Sequence, residues 1–140
     1  MAYRSLQKIR FSDVDGAGIV YYPKFFELCH AAFEDFFDTQ TDYSYPDLIR
    51  NQRVGFPTVA IESTFTAPLE YGDEAAVELT VEEIGSTSIR FGYVIHRERD
   101  GVLCFQATIT TVFISLDSMR PTSIPDSILA ALDPLVEQGD

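Results

Sequence analysis

The 140-residue sequence contains no tryptophan, two cysteines and two histidines. Cys29 and Cys104 stand alone, without the close spacing of a zinc site or the even set of a disulfide framework. Histidine is also the usual general base of a nucleophilic triad, and no G-x-S-x-G motif occurs. We therefore expect no metal centre, no serine or cysteine triad, and a reducing, cytoplasmic setting.

Long apolar runs and positive charge are scarce as well. No apolar run approaches the roughly 20 residues that cross a bilayer, and the N-terminal MAYRSLQKIRF lacks the apolar centre of a secretory signal. Ten lysines and arginines stand against 22 acidic residues, which gives a net charge of −12. Because nucleic-acid binding needs a basic face that displaces counterions, we expect neither a nucleic acid nor a membrane as partner.

Aromatic residues are abundant, with eleven Phe and seven Tyr in a chain that is 46% hydrophobic. This composition and length predict one folded domain over residues 1–140. A helix is predicted from about Pro23 to Phe37, because proline at the first helical position loses no hydrogen bond. Its apolar residues recur at steps of three and four, which is typical of a buried face: Phe25, Cys29, Ala32, Phe33, Phe36 and Phe37.

The remaining pattern predicts mostly antiparallel strands. Tyr3 to Phe11 is predicted as a first strand, and alternating apolar residues fill the region from Phe56 to about Leu116. Short helices are predicted at Pro46–Arg50 and at Pro125–Gln138. The strands are long, about 10–13 residues against a typical 5–6. A long sheet with one apolar helix predicts an α+β fold in which the sheet curls around that helix.

The loop before the helix, FSDVDGAGIVYYPKFF, concentrates carboxylates and glycines. Asp13, Asp15 and Gly18 fit the start of a calcium-binding loop, but Lys24 stands where its bidentate glutamate belongs. DVDGA is similar to the start of aspartate-dependent phosphatases, which place the aspartate after a strand buried on both faces. The preceding strand is too polar for that position, so both interpretations are disfavoured.

Carboxylates and glycines beside the start of a helix fit a third interpretation better, which is hydrolysis at the helix N-terminus. The first N–H groups of a helix are unpaired and attract a developing oxyanion. Because Pro23 has no N–H, the donor is expected at Tyr22 or just upstream. A carboxylate opposite it could attack a carbonyl or take a proton from water, and a thioester suits such a site because a thiolate leaves without a strong general acid. Alternatively, the two aspartates only shape the loop.

Residues 11–37, FSDVDGAGIVYYPKFFELCHAAFEDFF, are similar to the opening segment of the hot-dog-fold acyl-CoA thioesterases of the 4-hydroxybenzoyl-CoA thioesterase family. VGFPTVAIESTFTAPLEYGDE resembles a later strand and corner of that family, and ELCHAAFE resembles the helix of the related dihydroxynaphthoyl-CoA hydrolases. The resemblance implies a long antiparallel sheet wrapped around a central helix. It also implies hydrolysis of an aromatic acyl-CoA, with coenzyme A as part of the substrate and no cofactor, in dimers with an interfacial active site that commonly pair into tetramers.

Four residues receive roles from this resemblance. Asp15 matches the catalytic carboxylate, and Tyr22 matches the residue whose backbone N–H polarises the thioester carbonyl. Arg120 matches an arginine near the coenzyme A phosphates. His30 stands where the hydroxybenzoyl-CoA enzymes carry an acidic residue, so it is expected to contact ring hydroxyls or order the water; alternatively it only pairs with a glutamate of its own helix.

The chain departs from the family at one turn, Gly85–Ser88, which lacks the basic residues that bind the nucleotide. Arg53 and Arg90 are therefore further candidates for phosphate contacts. Three other functions stay open: a thioesterase for short aliphatic acyl-CoAs, a non-catalytic acyl-CoA-binding protein, and a dehydratase. A dehydratase would need an aspartate–histidine pair, and only His30 could complete one with Asp15.

Overall fold

The computed structural model describes residues 1–136, which form eight strands and three α-helices. Strands β1 to β8 are, in chain order, Tyr3–Lys8, Val54–Gly55, Thr58–Phe65, Glu74–Ile84, Ser88–Arg97, Leu103–Val112, Ile114–Ser115 and Arg120–Pro121. The main sheet has the order β1-β4-β5-β6-β3, and every neighbouring pair in it is antiparallel. A second small sheet has the order β2-β7-β8. The predicted long antiparallel sheet is confirmed.

The helices are α1 over Lys24–Gln40, α2 over Tyr45–Arg50 and α3 over Asp126–Leu132. Helix α2 begins at Tyr45, one residue before the predicted Pro46, because the Ser44 hydroxyl accepts a hydrogen bond from the Asp47 N–H at 3.1 Å and so caps the first turn. None of the helices within residues 1–136 is long and apolar enough to cross a membrane.

The core lies between α1 and the inner face of the main sheet. The helix contributes a broad buried face, which confirms the predicted spacing: Phe25, Leu28, Cys29, Ala32, Phe33, Phe36 and Phe37. The central strand β5 contributes Ile89, Phe91, Tyr93 and Ile95, all nearly inaccessible to solvent. Each fully buried side chain of this size stabilises the fold by roughly 1.5–3 kcal/mol. The sheet therefore holds α1 along its whole length, which fixes the position of the helix N-terminus.

A polar contact also joins α1 to the edge of the sheet. The Asp35 carboxylate accepts hydrogen bonds from the Ser5 hydroxyl at 2.9 Å and from the Gln7 side-chain amide at 2.8 Å. Both partners lie on β1, so the strand that leads into the acidic loop is tied directly to the helix that follows it.

Three predicted boundaries were wrong. The first strand ends at Lys8 instead of Phe11, because the Asp13 N–H donates to the Arg10 carbonyl at 3.0 Å and closes a 3₁₀ turn over Phe11–Asp13. Helix α1 continues past Phe37 to Gln40. The last helix ends at Leu132, and a 3₁₀ turn containing Pro134 follows, since proline cannot donate the next helical hydrogen bond. Residues 137 and 138 of that prediction lie outside the described residues.

Candidate active site

The acidic loop between β1 and α1 is a tight, hydrogen-bonded hairpin. Val14 and Val20 form an antiparallel bridge, and the Asp15 N–H donates to the Ile19 carbonyl at 2.9 Å. Gly18 turns the chain with φ +80°, a conformation that other residues rarely adopt. The Tyr71 N–H donates to the Gly18 carbonyl at 3.1 Å and anchors the hairpin to the segment before β4. The loop therefore presents Asp15 on a fixed backbone.

The Asp15 side chain is exposed and only partly engaged. Its Oδ1 accepts a hydrogen bond from the Ala17 N–H at 2.8 Å, which orients the carboxylate within the loop. Within residues 1–136, Oδ2 has neither an ion pair nor a hydrogen-bond donor. One carboxylate oxygen is thus available to a water molecule or a substrate.

Asp13 is engaged differently, by the loop itself. Its carboxylate accepts the Arg10 N–H at 2.8 Å, and its carbonyl accepts the Tyr21 N–H at 2.9 Å. These bonds brace both ends of the hairpin. The loop-shaping role considered for both aspartates is therefore observed for Asp13.

Tyr22 carries the first uncommitted N–H at the start of α1. The Tyr21 N–H is taken by Asp13, Pro23 has no N–H, and the Lys24 N–H donates to the Tyr21 carbonyl at 2.8 Å. The Tyr22 N–H has no acceptor within the part of the chain that the structure describes. An unpaired amide at a helix N-terminus carries partial positive charge and is suited to an anionic oxygen.

An apolar cavity of about 130 Å³ opens along α1 from the same end. Phe26, His30 and Phe33 line it from the helix, on the face that steps of four and three residues create. Ile61 of β3 and four residues of β5 and β6 close the other side: Phe91, Tyr93, Ile109 and Thr111. The Phe65 ring lies 6.3 Å from the Tyr22 ring and 6.3 Å from the Phe26 ring, so one aromatic contact joins the helix start to the cavity entrance.

His30 lies at the mouth of this cavity with 55% of its side chain exposed. Its Nε2 is 3.3 Å from the Glu34 carboxylate, one turn along the helix, so the glutamate pairing considered above is present. The ring also packs edge-on against Tyr45, with the ring centroids 5.7 Å apart. His30 and Asp15 make no hydrogen bond with each other within residues 1–136, and the pair that a dehydratase needs is not assembled there.

The three arginines considered for phosphate binding differ in their partners. Arg53 pairs with Asp117 at 3.1 Å, and Arg90 pairs with Glu83 at 3.1 Å. Arg120 on β8 is exposed and has no ion pair within residues 1–136. Its guanidinium is therefore uncommitted, although it does not line the apolar cavity.

Two further uncommitted cations were missed from the sequence. Lys8 and Arg10 border a surface hollow beside the Phe11 and Tyr71 rings, whose centroids lie 5.8 Å apart. Neither cation has an ion pair within residues 1–136. No sequence pattern indicated them, because they are isolated charges at the end of a strand. They become candidates for ligand binding only because the fold places the two rings beside them.

The cysteines play no part in this site. Burial raises the pKa of the Cys29 thiol well above its ordinary value, and the backbone hydrogen bond that opposes this shift is a smaller effect. Burial also raises the pKa of Cys104. A buried thiol that stays protonated is a poor nucleophile, so Cys29 is a core residue of α1, as its spacing predicted.

Known proteins resemble the chain over most of its length. The family described as the thioesterase-like superfamily matches residues 9–132. A 1,4-dihydroxy-2-naphthoyl-CoA hydrolase from Nostoc punctiforme is 27% identical over 133 residues, with 95% of this chain and 88% of the relative covered. The crystal structure of a 1,4-dihydroxy-2-naphthoyl-CoA thioesterase from Synechocystis is 25% identical with a TM-score of 0.86, covering 96% of this chain and 98% of that one. A structure from Thermus thermophilus is 27% identical with a TM-score of 0.84, covering 99% and 100% of the two chains.

Proposed function

The chain belongs to the thioesterase-like superfamily and is a thioester hydrolase with the hot-dog fold, and from this premise we propose that it hydrolyses the coenzyme A thioester of a hydroxylated aromatic acid. The observation that carries this proposal is the Tyr22 N–H at the start of α1, which has no acceptor among residues 1–136 and lies one helical turn from an aromatic-lined cavity. The relatives named for 1,4-dihydroxy-2-naphthoyl-CoA favour an acyl group of that kind.

In the proposed reaction the thioester carbonyl oxygen accepts a hydrogen bond from the Tyr22 N–H. Negative charge that develops on this oxygen is then stabilised by the amide and by the helix dipole. The free oxygen of Asp15 acts in one of two ways. It attacks the carbonyl carbon, so that the C–S bond breaks and water later cleaves the mixed anhydride, or it takes a proton from a water molecule that attacks instead. In both routes coenzyme A leaves as a thiolate.

The cavity favours a flat ring over a long aliphatic chain. An apolar cavity of about 150 Å³ holds one benzene molecule, and the cavity beside α1 measures about 130 Å³. One aromatic ring fills a space of this size. The second ring of a naphthoyl group would lie at the open mouth, where the His30 side chain can reach a ring hydroxyl.

A panel of thioesters tests the proposed function directly. The purified protein is incubated with 1,4-dihydroxy-2-naphthoyl-, 4-hydroxybenzoyl-, benzoyl-, acetyl- and hexanoyl-CoA, and free thiol is followed with a chromogenic reagent. We expect kcat/KM for the hydroxylated aromatic esters to exceed that for the aliphatic esters at least about tenfold, as a poorly filled pocket costs on the order of 1–3 kcal/mol. Faster hydrolysis of the aliphatic esters would contradict the aromatic assignment. Binding without thiol release would indicate a non-catalytic acyl-CoA-binding protein.

We further propose that Arg120 contacts a coenzyme A phosphate, because its guanidinium is exposed and unpaired within residues 1–136. Arg120→Gln should raise KM for the coenzyme A ester about three- to tenfold, the effect of losing one exposed charge-assisted hydrogen bond. The same variant should leave KM unchanged for the N-acetylcysteamine ester, which lacks the nucleotide.

Two variants serve as controls for Arg120. Arg90→Gln removes a guanidinium that Glu83 already holds, so it should change neither KM. Arg10→Gln removes the uncommitted cation beside Phe11 and Tyr71. A rise in KM for the coenzyme A ester that is confined to Arg10→Gln would contradict the role of Arg120 and place the phosphates at that hollow.

We also propose that two copies pair along β3. All eight residues of this strand are exposed, and it ends the main sheet with one edge unpaired within residues 1–136. A long exposed edge that carries Val59, Ile61 and Phe65 favours addition of another strand. Ile61 and Thr58 also line the apolar cavity, so this pairing would complete the site at a dimer interface.

The mass in solution tests this pairing. Sedimentation should give a dimer, or a tetramer if dimers pair further, and Ile61→Glu should dissociate it at β3. The change places a charge on the apolar strand edge that the pairing would cover, and an unpaired charge is costly to bury. Val102→Glu changes an exposed apolar residue away from β3 and should leave the mass unchanged. An assembly that survives Ile61→Glu would contradict pairing along this edge.

A further inference from the structure

Tyr93, in the middle of β5, has a largely buried side chain whose hydroxyl has no hydrogen-bond partner within residues 1–136. The residue is 4% exposed, and its side chain lies on the inner face of the sheet with Phe91 and Ile95. Since none of the described residues has a fully enclosed side-chain oxygen or nitrogen without a partner, this hydroxyl keeps access to the cavity that Tyr93 lines. Buried tyrosine hydroxyls usually find a partner, since an unpaired buried polar group is costly.

Two other polar groups of the same cavity, Thr111 and His30, are already engaged, and Thr58 lies at its exposed side. The Thr111 hydroxyl donates to the Ile89 carbonyl at 3.2 Å, and His30 is paired with Glu34 at 3.3 Å. Tyr93 is therefore the uncommitted polar group among the deeply buried residues that line the cavity.

The protonation state of Tyr93 suits it to donate. Burial raises the pKa of the Tyr93 hydroxyl well above its ordinary value, and the nearby Cys29 and Tyr45 groups raise it further. The hydroxyl consequently stays neutral throughout the pH range in which the protein would work, and it keeps both a proton to donate and lone pairs to accept.

We infer that Tyr93 is a specificity-determining residue whose hydroxyl hydrogen-bonds an oxygen substituent on the aromatic ring of the acyl group. The inference rests on the proposed function and adds the residue that recognises the oxygen substituent of the ring. An acyl group with a suitably placed oxygen pairs with the hydroxyl inside an otherwise apolar space. A ring without that oxygen leaves the hydroxyl buried and unpaired, and this difference separates two substrates of nearly the same shape.

Tyr93→Phe removes the hydroxyl and keeps the ring, so the test compares two substrates on two proteins. The wild type and the variant are assayed with 1,4-dihydroxy-2-naphthoyl-CoA and with 2-naphthoyl-CoA. We expect the preference of the wild type for the dihydroxy ester, measured as the ratio of kcat/KM values, to fall on the order of tenfold in the variant. The rate with 2-naphthoyl-CoA should stay the same or rise.

A matched control and a stability measurement separate recognition from folding. Tyr43→Phe removes a hydroxyl that is bonded to Ser127 at 2.8 Å away from the cavity, and it should leave the substrate ratio unchanged. Since the Tyr93 hydroxyl has no partner to lose within residues 1–136, Tyr93→Phe should not lower Tm. A lower Tm together with an equal loss of rate on both esters would show a structural hydroxyl and overturn the inference.

A binding measurement keeps the inference testable if the enzyme assay fails. If the wild type releases no thiol from any ester, the proposed function fails, and calorimetry with the free acids decides about Tyr93. Weaker binding of 1,4-dihydroxy-2-naphthoate by Tyr93→Phe, with unchanged binding of 2-naphthoate, supports the inference. Equal affinities of the wild type and the variant for both acids overturn it, whatever the enzyme assay shows.

Discussion

Asp15→Asn is expected to remove nearly all thioester hydrolysis and to leave the fold and the affinity for acyl-CoA intact. The asparagine side-chain oxygen can still accept the Ala17 N–H, which the aspartate Oδ1 now accepts at 2.8 Å, so the loop keeps its shape. An amide, however, neither attacks a carbonyl carbon effectively nor takes a proton from water. Loss of a positioned general base typically costs 10²–10⁴ in rate, and we expect kcat to fall by about that factor.

Asp13→Asn is the matched control for this variant, because it makes the same chemical change two positions away in the loop. Asp13 accepts the Arg10 N–H, a bond that asparagine can retain, so kcat should stay within a few-fold of the wild type. Steady-state kinetics with the best ester of the panel, together with a Kd for a non-hydrolysable analogue, separate the two aspartates. An Asp15→Asn variant that keeps more than about a tenth of the wild-type rate would remove Asp15 from the catalytic role.

The sequence predicted the fold because local patterns and the global arrangement agree. The steps of three and four from Phe25 to Phe37 predict one buried helical face, and the alternation in β4 and β5 predicts the sheet that covers it. The predicted ends of the elements were wrong where a few local hydrogen bonds outweigh such patterns. The bond between Asp13 and Arg10 ends the first strand early, and no apolar period encodes it.

The candidate site was predictable only where its functional residues lie close together in the sequence. Asp15 and Tyr22 share one loop, so their residue types and spacing could be interpreted together. Tyr93 could not be recognised in the same way, because its alternation with Phe91 shows only that it faces inward. Whether its hydroxyl finds a partner depends on side chains from α1, β3 and β6 that the fold brings to it. The same applies to the arginines, because only the fold shows that Arg53 and Arg90 are paired while Arg120 has no ion pair within residues 1–136.

Replacing the backbone N–H of Tyr22 with an ester oxygen should lower kcat by about 10²–10³, the usual cost of losing one oxyanion donor. The exchange, made by incorporating the α-hydroxy analogue of tyrosine at position 22, keeps the side chain and removes only the donor. Because this N–H has no acceptor within residues 1–136, its removal breaks no hydrogen bond of the fold there. Tm should therefore stay close to the wild-type value, and KM should change less than kcat, since the charge on the oxygen develops in the transition state.

The same exchange at Lys24 shows whether an ester at this end of the helix is itself damaging. The Lys24 N–H donates to the Tyr21 carbonyl at 2.8 Å, so an ester there breaks one structural bond, and Tm should fall more than for the exchange at Tyr22. The loss of kcat should nevertheless be much smaller, as this amide already has an acceptor inside the protein. Such opposite ranking of Tm and kcat would assign the oxyanion contact to Tyr22. A wild-type kcat in the Tyr22 ester would instead mean that the thioester carbonyl is polarised elsewhere, and the helix start would lose its role in the reaction.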